Sequence, residues 1–120
     1  MTSALHHIRL ELAREPDHPE GDRGIGYDLV VPLDEAGRLD PKGLGEGCRV
    51  RRFTGEETLA VGKVRHTTGD RWLFDFEPGE QDDETGFRFG EENFVLGEYV
   101  SVRAPDGEMH TYRVAQLRAL

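Results

Sequence analysis

Four basic residues, Arg49, Arg51, Lys63 and Arg65, fall at alternate positions in two neighbouring stretches of the chain. Side chains two apart on an extended strand share a face, so each pair projects to one side. If the two stretches form a hairpin around a three-residue loop, Gly55-Glu56-Glu57, Arg49 stands opposite Lys63. Like charges directly across a ladder cost stability unless something neutralises them. Asp75 across from Lys63, and Glu77 near Arg51, would make this a salt-bridged solvent face. Otherwise the quartet is a receptor for an anion: a phosphate-bearing ligand, an RNA backbone or an acidic segment of another protein.

The remaining candidates for chemistry are weaker. A zinc site needs three or four converging ligands. The adjacent His6 and His7 point to opposite faces of a strand and cannot share one. A metal site would have to rest on His18 with Asp17, Glu20 and Asp22. Asp75–Glu84 holds six carboxylates and no base, but lacks the alternating spacing and closing Glu of a calcium loop. It reads as a solvated loop, and Pro78–Glu92 as an acidic connection. Cys48 lies on an apolar strand face and reads as a buried, inert thiol. No serine sits in a Gly-x-Ser-x-Gly turn, and Ser101 lies within a strand. Gly24-Ile25-Gly26 and Gly43-Leu44-Gly45 lack the lysine and helix of a phosphate loop. No catalytic residue, metal or cofactor is expected, and nothing in the sequence supports an enzyme.

These residues need strands to hold them. His6–Arg14 alternates, with Ile8, Leu10 and Leu12 on one face and His7, Arg9 and Glu11 on the other. Tyr27–Leu33 offers Tyr27, Leu29, Val31 and Leu33 to a core. Cys48–Thr54, Thr58–Thr67 and Arg71–Glu77 read as three strands. In three-residue loop register, Cys48, Val50, Ala60, Gly62, Val64, Trp72, Phe74 and Phe76 share the dry face. Gly62 opposite Phe76 leaves room for a ring or marks a curving bulge. On alternate positions Trp72, Phe74 and Phe76, like Phe87 and Phe89, read as core and not as a base-stacking platform. Pro105-Asp106-Gly107 joins Glu98–Ala104 to Glu108–Leu117. That hairpin pairs Val100 with Tyr112 and Val102 with His110 inward, and turns Ser101, Thr111, Tyr99 and Arg113 outward. A short helical turn after Asp40-Pro41 is the only helix expected.

Seven strands with short connections predict an all-β chain of 120 residues in one domain: a small, antiparallel, partly open β-barrel, with a compact β-sandwich as the alternative. The net charge of −9 is shared by both halves of the chain, which disfavours nucleic acid and anionic membranes. The single cysteine suits a reducing compartment. With no leader and no apolar run long enough for a membrane helix, the expected location is cytoplasmic.

The segments His7-Ile8-Arg9-Leu10-Glu11-Leu12-Ala13-Arg14, Gly26-Tyr27-Asp28-Leu29-Val30-Val31-Pro32-Leu33-Asp34, Phe87-Arg88-Phe89-Gly90 and Gly97-Glu98-Tyr99-Val100-Ser101-Val102-Arg103 resemble a family of small, uncharacterised bacterial all-β proteins. The resemblance implies a bacterial, cytoplasmic origin and brings no activity, ligand or catalytic residue with it. The leading expectation is a non-enzymatic protein-interaction or binding module. The alternative is a binder of a small anionic ligand, or an enzyme, with a pocket at the barrel mouth formed by His66, His110 and Tyr112. Weak RNA binding through the basic quartet is third. The chain is expected as a monomer or a homodimer.

Overall fold

The alternation along the chain is realised as eight antiparallel strands in a computed structural model that describes residues 4–15, 19–43, 48–67, 71–76, 84–87, 93–103 and 108–120. The strands are β1 (Ala4–Leu12), β2 (Asp22–Leu33), β3 (Arg49–Thr54), β4 (Glu57–Thr67), β5 (Arg71–Phe76), β6 (Glu84–Phe87), β7 (Tyr99–Arg103) and β8 (Met109–Ala119). Each pairs with the next in chain order, and β8 returns to pair with β1. The ring is uneven. Among the described residues β6 has four residues and pairs with Trp72–Phe74 of β5 and Ser101–Arg103 of β7, so the ring closes through its shortest ladders on that side.

Period-two burial produces the core. Ile8, Leu10, Tyr27, Leu29, Val31, Val50, Trp72, Phe74, Val100, Val102 and Val114 are all at most 1% exposed and form one apolar cluster. Side chains from both walls meet there: Tyr27 packs against Phe74 at 5.3 Å and edge-on to Tyr112 at 5.1 Å between ring centres. Phe94 joins the cluster from the loop before β7, its N–H donating to the Gly37 carbonyl at 2.7 Å. A 3-10 turn, Pro41–Gly43, follows Asp40, whose Oδ1 accepts from the Lys42 N–H at 3.0 Å. Asp at the cap and Pro in the first position are what that turn requires.

The structure refines the sequence reading at three points. First, β6 lies inside the stretch read as an acidic connection, making eight strands where seven were expected. Second, β2 begins at Asp22, five residues before Tyr27. Gly26 allows this, because a Cβ there would fall on the Leu10 carbonyl oxygen and within 2.9 Å of the carbonyl carbon. Third, the β3–β4 loop is two residues long, Thr54 facing Glu57, with Gly55 at φ 60°. The spare residue is taken up within β4: the register shifts by one between Arg52 and Phe53, and Arg49 still faces Lys63 as expected. The inward pairing of Val100 with Tyr112 and Val102 with His110 is found as read, while the Pro105-Asp106-Gly107 turn lies outside the described residues.

Candidate functional site

The outer surface of β1–β4 is built in two rows that run across the strands. One row is Arg9, Asp28, Arg51 and Val61; the next is His7, Val30, Arg49, Lys63 and, on β5, Asp75. These are the positions that alternate with the buried Ile8, Leu29, Val50 and Val64. The pattern that fills the barrel therefore places the polar set on its exterior.

Asp28 is the hub. Arg51 Nε donates to its Oδ2 at 3.2 Å, with Nη2 3.0 Å from the same oxygen, and His7 Nε2 lies 3.0 Å from Oδ1. Arg51 Nη1 also donates to Thr58 Oγ1 at 3.1 Å. Arg9 reaches toward Asp28 at 3.9 Å while donating to Glu11 at 2.9 Å. A third row, Glu11, Gly26, Phe53 and Thr58, completes the support. Phe53 is fully buried on this outer side, with the guanidinium of Arg9 4.1 Å and that of Arg51 5.3 Å from its ring centre. Cations over a ring face are attracted by its quadrupole, so both arginines are held as well as charged.

The quartet read from the sequence is thereby divided. Arg51 is committed to Asp28, and Arg65 to Asp75 at 2.6 Å. Arg49 and Lys63 remain opposite each other, both exposed, and neither has a carboxylate partner among the described residues. Asp75 stands across the ladder from Lys63 but bonds Arg65 instead. Glu77, the expected neighbour of Arg51, lies outside the described residues. Beside the Arg49–Lys63 pair is a groove of about 500 Å³ lined by Val30, Val61, Gly62, His7 and Asp28 together with the three cations Arg49, Arg51 and Lys63. Val61 is 53% exposed there, an apolar side chain presented to solvent between charges. Among the described residues the lining includes no hydroxyl or thiol. The arrangement can neutralise an anion and cover an apolar surface beside it.

The three residues read as a barrel-mouth pocket have separate commitments. His66 is exposed with its ring 4.7 Å from that of Trp72, His110 Nδ1 lies 2.9 Å from Glu15 Oε2, and Tyr112 is buried against Tyr27. His6 Nδ1 lies 2.7 Å from the Ala4 carbonyl, and Cys48 is buried and free. Among the described residues no three His, Cys, Asp or Glu side chains are grouped to hold a metal. His18, Asp17 and the acidic stretch 77–83 lie outside those residues. Also among the described residues, no helix is long and apolar enough to cross a membrane.

Sequence reading did not find Asp28, Phe53 or the groove. Asp28 alternates with Tyr27 and Leu29 on a strand whose polar side drew no attention, and its partners come from β1 and β3. Phe53 shares parity with Arg49 and Arg51, and that was the available signal: an aromatic ring on a face otherwise made of cations. The chain matches no family model, no curated protein and no solved structure.

Proposed function

We propose that this chain is a non-enzymatic binding module that takes an anionic group of its partner into the groove on the outer face of β1–β4. One observation carries the reading: Arg49 and Lys63 face each other with no carboxylate partner among the described residues, in a chain of net charge −9. Acidic side chains were plentiful, and two cations held side by side cost stability. An incoming anion relieves that repulsion, and charge-assisted bonds to Arg and Lys are the stronger kind of hydrogen bond. The Asp28 hub and the Phe53 ring fix Arg51 beside the pair, so one wall of the groove is preorganised. A cytoplasmic setting fits the single buried thiol of Cys48.

The test is an amide NMR titration with inorganic phosphate at millimolar concentration. Signals of Arg49, Val61, Gly62 and Lys63 move in the native chain and stay still in the double variant Arg49→Gln/Lys63→Gln. Both side chains are exposed, so the variant stays folded, and its unfolding midpoint rises slightly because the like-charge repulsion is gone. Phosphate-induced shifts that survive the double variant, or that appear only elsewhere, would refute the reading.

A further inference from the structure

We infer that the occupant of this groove is a free, compact, amphipathic anion: one phosphate or carboxylate head carried on an aliphatic or aromatic body. The inference rests on the binding-module reading and adds the ligand's class. The uncommitted charge is small, since Arg51 is already hydrogen-bonded and ion-paired to Asp28, and Arg65 sits on Asp75 away from the groove lining. Arg49 and Lys63 alone suit a head group of one or two negative charges. Asp28 is part of the same lining, and the chain as a whole is strongly acidic. A polyanion laid across the site would meet those carboxylates within the roughly 8 Å over which charges act at physiological salt. That argues against RNA and against an anionic membrane surface.

The space beside the cations is apolar. Val30, Val61 and Gly62 lie along it, and the methylene stems of Arg49 and Lys63 extend it. Its volume, about 500 Å³, falls within the range of small-molecule sites. Head and body therefore have adjoining places: the head between Arg49 and Lys63, the body against Val61 and Val30.

The experiment extends the phosphate titration to octyl phosphate and to octanol, monitoring the same amide signals. Burying two or three methylenes' worth of surface gives octyl phosphate about a thirtyfold tighter apparent Kd than inorganic phosphate. Val61→Ser removes most of that gain and leaves inorganic phosphate unaffected; Val61 is half exposed, so the fold survives the change. Arg49→Gln/Lys63→Gln weakens both phosphates. Inorganic phosphate shifting the groove signals with no gain for the octyl ester would overturn the inference and leave the binding-module reading standing. Groove signals unmoved by either phosphate would overturn both. Tighter groove-dependent binding of a single-stranded RNA, an acidic peptide, or vesicles of phosphatidylcholine with phosphatidylserine would overturn the inference by naming another class of partner.

Discussion

Replacing Phe53 tests whether the outer face is a built structure or an ordinary solvated surface. The ring is fully buried outside the main core, beneath Arg9 and Arg51, whose side chains are 23% and 37% exposed. Leucine keeps most of the apolar volume but has no quadrupole. At 4.1 Å and partly desolvated, Arg9 contributes about 1 kcal/mol to a cation–π contact, and Arg51 at 5.3 Å about half of that. Imperfect repacking adds about 1 kcal/mol, so Phe53→Leu should cost roughly 2–3 kcal/mol. Phe53→Ala, which also opens a cavity, should cost roughly 3–5 kcal/mol. Urea unfolding at constant m-value measures both. A double-mutant cycle pairing Phe53→Leu with Arg9→Met, which keeps an unbranched stem, should give a coupling of about 1 kcal/mol. A Phe53→Leu variant within about 0.5 kcal/mol of the native chain, with no measurable coupling to Arg9, would refute the idea that the ring organises the arginines.

Asp28→Asn removes the charge that holds Arg51 and His7, and should lower stability by about 1–2 kcal/mol in urea unfolding. The same change should tighten phosphate binding up to about tenfold, because a carboxylate leaves the groove wall. Weaker phosphate binding in a folded Asp28→Asn chain would show that Arg51's placement matters more than the competing charge. Gly26→Ala should destabilise by about 3 kcal/mol or more, since the new methyl meets the Leu10 backbone and no side chain can yield. Gly55→Ala, at φ 60° with open space around it, should cost only about 1 kcal/mol, and equal losses at the two sites in thermal unfolding would contradict this. Arg65→Met should change stability by less than about 1 kcal/mol and leave phosphate titrations unaltered, because its partner Asp75 belongs to an exposed pair outside the groove.

How much of this was legible in the letters depended on range. Alternation is local, so the faces of β1, β3–β5, β7 and β8 could be read directly. The inward set Cys48, Val50, Val64, Trp72 and Phe74 is buried as its parity demands. The β3–β4 register survived a wrong loop length because Arg49 and Lys63 are fixed by the dry residues beside them, Val50 against Gly62, and not by the turn. The residue subtracted from the loop reappears as an irregularity around Leu59, which is 49% exposed. β6 was hidden because Glu84–Phe87 has no apolar alternation in the letters, and its pairing comes from β5 and β7 on either side. The start of β2 was hidden because its glycines resemble a loop until the close approach of β1 is seen. The quartet was found, but its division was not. Which cation is neutralised depends on Asp28, more than twenty residues before Arg51 and supplied by a different strand.

Strand order also bears on how the chain reaches this shape. Seven of the eight ladders join segments adjacent in sequence, and only β8 against β1 ties distant ends, with His6 beside Ala119 and Leu12 beside Tyr112. The seven local hairpins can zip on the microsecond scale, whereas joining segments some hundred residues apart must first overcome the entropy of a long loop. The late barrier therefore belongs to that last seam. Truncating Val114 or Leu10, which meet across it, should slow refolding more than truncating Val64 on the far wall.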